Sequence, residues 1–220
     1  MRRSRIGRRV LLASGVLALV FPFRAPGAAP GTEPLFDGRT LAGWVSSGFE
    51  GERGVRVERD FEPGRAAIVI EAGTTLGGIT STLGARLPRI NYEVGFEAMR
   101  VEGGDFFGAL TFPVENTACT LVLGGWGGAV VGISNVDGMD ASGNDTTREL
   151  EFADRRWYRV RLRVTPGRIE AWIDERKVVD LETAGRRLSL RPGDIQKARP
   201  LGISTYMTKA AVRAITLARL

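Results

Sequence analysis

Apolar and polar side chains alternate along much of this chain, most clearly between Trp157 and Asp180. Within 158–164 the even positions are Tyr, Val, Leu and Val, and the odd ones are Arg. A period of two is typical of a strand with one buried face. Pro166-Gly167 then supplies a turn, alternation resumes up to Ile173, and 174–176 is a second polar reversal. The stretch predicts an antiparallel meander of three strands.

Short strands separated by glycine-rich turns are predicted along the rest of the chain, whereas helical periodicity is almost absent. They are expected at 55–58, 67–71, 77–82, 92–99, 106–112, 119–124, 130–135, 148–152, 201–205 and 212–220. The basic, irregular segment 183–199 is expected to carry a turn of helix. With 220 residues, no internal repeat and no long linker, one domain is the simplest organisation. The pattern predicts an all-β, antiparallel, two-sheet sandwich of the jelly-roll type.

Residues 1–29 have the composition of a secretory signal peptide, so the folded domain is expected to span 33–220. Several arginines precede the apolar run Val10–Phe21, which is too short to span a bilayer comfortably, and small residues follow at 25–29. A twin-arginine signal at Arg8-Arg9 ranks second, and an uncleaved anchor is a further alternative. We therefore expect a secreted or periplasmic protein with no membrane span after cleavage.

The positive charge of the chain lies in that leader. The full sequence holds 31 Lys and Arg against 25 Asp and Glu, a net charge of +6. Residues 1–29 contribute six Arg and no acid, which leaves 25 of each sign and a neutral domain. A neutral domain lacks the basic surface that binding to a phosphate backbone requires, so nucleic acid is excluded as a partner.

Cysteine and histidine usage narrows the chemistry further. Cys119 is the only cysteine and lies in an apolar run, so we expect a small buried residue and no intrachain disulfide. The sequence has no histidine, which excludes serine–histidine triads and histidine-based zinc sites. Any general acid or base would have to be a carboxylate.

Three stretches, in the right order, resemble the 3-keto-disaccharide hydrolase domain family. PLFDGRTLAGW at 34–44 is similar to the family's opening "LFNGKDLSGW". RWYRVRLRVTPGRIEAWIDERKVVDLE at 156–182 resembles its "WNxYRIxxxGxxIxxWxNGxxVxD" meander, and PLGISTYMTKAAVRAITLARL at 200–220 its closing "GxIGLQDHGxxVxFRNIRIREL". The resemblance implies a concanavalin-like sandwich, related in fold to family 16 glycoside hydrolases, and a glycan-related protein that acts on 3-keto-glycosides.

One departure from the family pattern bears on activity. Thr205 and Tyr206 stand where the family's closing motif usually has Asp-His. If that histidine takes part in the family's chemistry, this chain has lost it, which favours binding over catalysis. Tyr206 is retained as a candidate contact to substrate.

Two tryptophans are candidate sugar platforms. Trp126 lies between two Gly-Gly pairs, where glycines permit close backbone approach and a flat ring could stack on a sugar. A tight bend with Trp126 packed on the edge of the core is the equal alternative. Trp172 shares a strand face with Glu170 and Asp174 and is the second platform.

The polar loop 134–147 supplies further candidate ligands of sugar hydroxyls or of Ca²⁺. Its candidates are Asn135, Asp137, Asp140 and Asn144. Their spacing is not that of an EF-hand, so calcium or another divalent metal is a possibility without assigned ligands. Turn formation in solvent is the favoured alternative for these side chains.

Three carboxylates are candidate catalytic groups. Glu97 and Asp105 flank the Gly103-Gly104 turn, and Glu149 shares a strand face with Glu151. Retaining glycosidases need two carboxyl groups about 5–5.5 Å apart. An exposed strand edge is the favoured alternative for Glu149.

Two hypotheses therefore lead: a carbohydrate-active enzyme on 3-keto-glycosides, and a non-catalytic glycan-binding module. A structural protein of the cell envelope is the third. In all three the partner is sought on a sheet face or in the loops.

Overall fold

The computed structural model describes residues 31–220, which form two antiparallel sheets packed face to face. The predicted signal peptide lies outside the described residues. All fifteen strands described pair antiparallel with their neighbours, and the all-β sandwich predicted from the sequence is confirmed.

Sheet I has the order β13-β12-β11-β6-β15-β4-β3, with β1 also paired to β15. Its strands are β1 (Thr32–Pro34), β3 (Val55–Glu62), β4 (Arg65–Ile70), β6 (Tyr92–Glu102), β11 (Trp157–Thr165), β12 (Arg168–Ile173), β13 (Arg176–Glu182) and β15 (Lys209–Arg219). The predicted meander is confirmed as β11, β12 and β13, with Val160 opposite Ile173 across the first hairpin.

Sheet II has the order β10-β9-β8-β7-β14-β5-β2. Its strands are β2 (Trp44–Ser46), β5 (Leu76–Ser81), β7 (Ala109–Val114), β8 (Thr117–Gly125), β9 (Val130–Ser134), β10 (Arg148–Glu149) and β14 (Gly202–Tyr206). The strand expected at 148–152 is thus only two residues long.

Strand β7 continues through Pro113, although the sequence pattern predicts that the strand ends at residue 112. Pro113 pairs with Ala118 of β8, but β14 pairs with β7 only over Ala109–Thr111. Pro113 therefore lies where β7 has a strand neighbour on one side only, an edge-like position that tolerates the missing N–H.

Helical structure in residues 31–220 consists of two short 3₁₀ helices, at Gly84–Arg86 and Asp194–Ala198. The second confirms the turn of helix expected within 183–199. No helix in this part of the chain combines the length and hydropathy needed to cross a bilayer.

The core lies between the sheets and is filled by alternate side chains of both. Phe96 and Leu162 come from sheet I, Phe112 and Ile133 come from sheet II, and all four are almost fully buried. Cys119 belongs to the same core, as expected, and burial raises the pKa of its thiol to about 12.

The outer faces of the two sheets differ in chemistry. On sheet I, Glu93 accepts from Arg161 and Arg163, and such ion pairs recur across the face. The face of sheet II that points away from the core carries small residues, namely Ala109, Thr111, Thr120, Ser134 and Ser204, all buried. Since they do not face the core, loops must cover them.

Candidate functional site

A cleft of about 380 Å³ lies over the outer face of sheet II. Its floor is formed by Ala109 of β7, Thr120 and Val122 of β8, and Ser134 of β9. Because these three adjacent strands carry small side chains here, the cleft extends down to the sheet between the loops that cover it. Cavities that bind small molecules usually measure about 300–1,000 Å³.

The segment 191–195 forms one wall of the cleft. Its lining residues are Arg191, Pro192, Asp194 and Ile195. The Glu50 N–H donates to Asp194 Oδ2 at 3.0 Å, and Lys197 Nζ donates to the Gly48 carbonyl at 3.0 Å. The Glu50 N–H, followed by Lys197, holds the pKa of Asp194 below its ordinary value. These contacts fix the wall on the 48–50 loop.

Three aromatic side chains line the same cleft: Phe106, Trp126 and Tyr206. The Phe106 and Tyr206 ring centroids are 5.8 Å apart, and the Tyr206 N–H donates to the Phe106 carbonyl at 3.0 Å. Trp126 is 43% exposed and Tyr206 37%, so both rings are offered to solvent. Rings of this kind stack on apolar ligand faces and keep a polar edge for hydrogen bonding.

Glycines around Trp126 allow its turn to pack closely on the neighbouring loop, as the sequence suggested. Trp126 itself has φ +49°, and Gly128 has φ +104°. A Cβ at Gly128 would lie 2.9 Å from the Gly104 carbonyl oxygen, a distance that real side chains do not reach. The turn therefore needs glycine both for its conformation and for its packing.

The Asp105 carboxylate hydrogen-bonds to the backbone of both segments that carry Phe106 and Trp126. Its Oδ1 accepts the Phe106 N–H at 2.8 Å, and its Oδ2 accepts the Gly127 N–H at 2.9 Å. The Asp105 N–H donates to Thr208 Oγ1 at 3.1 Å. The carboxylate thus fixes the Trp126–Gly127 turn against the loop that carries Phe106.

Of the sequence candidates, Asp105, Trp126 and Tyr206 all line the cleft. Asn135 directly follows the floor residue Ser134, whose Oγ donates to Asn135 Oδ1 at 2.7 Å. Asn135 is 8% exposed and is not among the lining residues.

The other candidates in the polar loop are engaged in holding it. Arg186 donates to Asp137 at 2.6 Å and to Asp145 at 2.8 Å, while Arg191 reaches Asp140 at 3.4 Å. The pKa of Asp137 is lowered mainly by the Arg187 N–H and then by Arg186, and the pKa of Asp145 mainly by Arg186. The loop is therefore clamped to the 183–191 segment by ion pairs.

Asn144 lies inside this loop and bonds to it on both sides. Its Nδ2 donates to the carbonyls of Ile133, Met139 and Asp140 at 2.7–3.1 Å. Its Oδ1 accepts from Thr146 N at 2.9 Å and from Thr146 Oγ1 at 2.6 Å. Within residues 31–220 no group of three or more His, Cys, Asp or Glu side chains is arranged to hold a metal ion. The divalent cation stays a prediction without ligands.

Glu97 and Trp172 lie on the outer face of sheet I, away from the cleft. Glu97 Oε2 accepts from Arg213 Nε at 2.7 Å, and the guanidinium of Arg161 lies 3.7 Å from the Trp172 ring centroid. Glu149 is exposed in the edge strand β10, opposite Val130. The structure thus brings only Asp105 of the three candidate carboxylates into the cleft.

Sequence reasoning missed the floor and the 191–195 wall. Thr120 and Ser134 are polar residues in otherwise apolar runs. Their polarity was the only sequence signal that could have identified them as floor residues. Each marks an outward position between core residues such as Leu121 and Ile133. Phe106 was assigned to a strand but not to a site.

The family model described as the 3-keto-alpha-glucoside-1,2-lyase-like domain matches residues 31–218, which confirms the resemblance in the three motifs. No curated protein matches the chain.

Solved structures of carbohydrate-related proteins share the fold. The carbohydrate-binding module CBM66 from Bacillus subtilis has a TM-score of 0.51 at 14% identity, covering 80% of this chain and 95% of that one. Domain 4 of the arabinanase AbnA from Geobacillus stearothermophilus, in complex with arabinotriose, has a TM-score of 0.51 at 12% identity, covering 80% and 82%. The Crh5 transglycosylase in complex with NAG has a TM-score of 0.54 at 9% identity, covering 86% and 83%. At these identities the likeness shows the fold alone.

Proposed function

We propose, from the premise that the chain belongs to the 3-keto-alpha-glucoside-1,2-lyase-like domain family, that it binds a carbohydrate in the cleft over sheet II. The observation that carries this proposal is the convergence of three aromatic rings and the Asp105 carboxylate on a single cleft. The lining residues concerned are Asp105, Phe106, Trp126 and Tyr206.

The chemistry of the cleft suits a sugar. A pyranose ring presents C–H groups on its faces and hydroxyls around its rim. Aromatic rings such as Trp126 contact the faces, while Asp105 and the hydroxyl of Thr120 are polar partners for the rim. The binding module and the arabinotriose complex of the same fold support this proposal.

Binding is tested with two alanine substitutions and a matched control. Trp126→Ala and Tyr206→Ala are expected to weaken glycan binding at least tenfold, about 1.4 kcal/mol, because each removes a ring from the cleft. Trp172→Ala removes an indole from the opposite face and should leave affinity unchanged. The measurement is a glycan array followed by calorimetric titration of the best ligand. An array without hits, or equal losses at Trp126 and Trp172, would contradict the proposal.

Secretion is part of the proposal, because residues 1–29 carry the pattern of a signal peptide. The chain expressed in a bacterial host should appear outside the cytoplasm, shortened by the leader. Deletion of 2–29 should retain it in the cytoplasm, and mass spectrometry of the exported chain would locate the cut. Retention of the full chain in the cytoplasmic fraction would count against export.

Cleavage of a 3-keto-glycoside is the second candidate function, favoured by the position of Asp105 in the cleft. Its carboxylate could remove the C2 proton, which the C3 ketone acidifies, to give an enolate. The enolate electrons would reform the ketone and make a C1–C2 double bond as the C1–O bond breaks. The leaving oxygen then takes up a proton, and the net reaction is an elimination.

This elimination yields an unsaturated ketone that absorbs ultraviolet light, so product and released alcohol can both be followed. The assay uses 3-keto-glycosides with and without Ca²⁺ or Mn²⁺, and Asp105→Asn should abolish turnover. Absence of product under every metal condition would remove the enzymatic candidate and leave the binding proposal intact.

A further inference from the structure

Three charged side chains line the cleft, and two of them are already paired. Arg191 faces Asp140 at 3.4 Å, and Asp194 faces Lys197 at 3.2 Å. Asp105 is the third, and within residues 31–220 no Lys or Arg nitrogen lies within 4.0 Å of its carboxylate. Among the described residues, Asp105 therefore brings to the cleft a negative charge that no lysine or arginine side chain pairs.

The hydrogen bonds of Asp105 leave part of its carboxylate available. Each oxygen accepts one backbone N–H, from Phe106 and from Gly127. A carboxylate has about four lone-pair sites, so two remain for a ligand. The two N–H groups orient the carboxylate without neutralising its charge.

The aromatic rings of the cleft lie beside this charge. A Cβ built on Gly125 would be 3.8 Å from Phe106 Cδ1 and 3.9 Å from Asp105 Oδ1, so ring edge and carboxylate flank the same glycine. Trp126 is the next residue, and Tyr206 lies against Phe106. The faces of aromatic rings attract cations, most strongly the face of Trp. A carboxylate among three rings is thus complementary to a cation that also has apolar surface.

We propose that the glycan bound in this cleft is an amino sugar whose protonated amine pairs with Asp105 while its ring packs on Trp126. The inference rests on the proposed carbohydrate-binding function and names its substrate class. An ammonium group offers three donors, two of which can occupy the two free lone-pair sites of Asp105. A hydroxyl in the same place would bond to the carboxylate but leave its charge uncompensated.

The test compares the methyl glycosides of glucosamine, N-acetylglucosamine and glucose, which differ only at C2. Affinities are measured by NMR titration of the Trp126 indole N–H, assigned with Trp126→Phe, at about pH 6 where the amine is protonated. The glucosaminide is expected to bind at least tenfold more tightly than the other two. Its advantage should shrink as salt is added, because the ion pair is partly exposed and screened.

Two variants isolate the charge. Asp105→Asn should reduce the affinity for the glucosaminide to that for the glucoside. The control, Glu182→Gln, removes an exposed carboxylate of sheet I and should leave the affinities for both glycosides unchanged. Equal affinities for the three glycosides, or an advantage of the amine that survives in Asp105→Asn, would overturn the inference and leave carbohydrate binding standing. No response to any glycoside would overturn both. If Asp105→Asn does not fold, the salt series in the unaltered chain decides.

Discussion

Asn144→Ala is the substitution that best separates a structural from a ligand-binding role in the polar loop. The side chain makes five contacts shorter than 3.2 Å, three through Nδ2 and two through Oδ1. Because the amide has two hydrogens, one of them is shared, and the contacts amount to about four hydrogen bonds. Alanine removes all of them together.

The expected loss of stability follows from this count. A net hydrogen bond contributes about 1 kcal/mol, and four that share one side chain and part of the solvent give about 3 kcal/mol. Thr146 adds to the effect, since its buried hydroxyl donates to Asn144 at 2.6 Å and would be left without that acceptor. With a urea slope of about 2 kcal/mol/M, the unfolding midpoint should fall by about 1.5 M.

The assay is urea unfolding followed by tryptophan fluorescence, with Asp145→Ala as the adjacent control. Asp145 is exposed and its pairing with Arg186 is a surface ion pair, so its loss should cost no more than about 1 kcal/mol. If Asn144→Ala instead lowers stability by less than about 1 kcal/mol and abolishes glycan binding, Asn144 is a ligand contact and the structural reasoning is refuted.

Three further predictions concern the core, the loop and the cleft. The thiol of Cys119 should react with a disulfide reagent only as fast as the domain unfolds, because the thiol is buried and its pKa is about 12; fast labelling of the native chain would contradict this. Arg186→Gln should lower the free energy of unfolding near neutral pH, because Arg186 pairs with the ionised Asp137 and Asp145. The pKa values of both aspartates are lowered, so this stabilisation is present above those pKa values. The difference from the unaltered chain should therefore vanish as the pH falls through them. Urea midpoints from pH 7 to 2 measure it, and a difference independent of pH would speak against the ion pairs. Gly128→Ala should destabilise the domain by about 2 kcal/mol or more, because the new Cβ would collide with the Gly104 carbonyl oxygen. Gly127→Ala should cost only about 1 kcal/mol, because its Cβ would meet no atom within 4 Å and only the positive φ is unfavourable. Equal effects of the two substitutions would exclude the packing argument.

The two-sheet sandwich could be predicted from the sequence because buried apolar and exposed polar residues alternate along the strands of sheet I. In β11 every second side chain enters the core, and three of the five others are arginines. Sheet II is harder to predict, because loops cover the outer face of its central strands β7, β8, β9 and β14, and these strands hold no charged residues. Strand β8 is buried on both faces from Ala118 to Gly125, so only small residues such as Thr120 mark the outward direction.

The cleft was only partly predictable for a similar reason. Its tryptophan was found through the glycines around it, which are a local signal. The 191–195 wall depends on contacts between distant parts of the chain, such as that of Asp194 with Glu50, 144 positions away. The role of the loop aspartates was set by arginines outside the loop. Glu97 has the right chemistry for a site, but the pleat directs it to the other side of the molecule.

Strand β15 lies in the interior of sheet I and pairs with β6, β4 and β1. It is also the last strand of the sandwich to be synthesised. Until residue 219 has left the ribosome, β6 and β4 have no neighbour between them and their backbone groups stay open. The two halves of sheet I can therefore join only after β15 has been synthesised, so the sandwich cannot close while its earlier strands are being made.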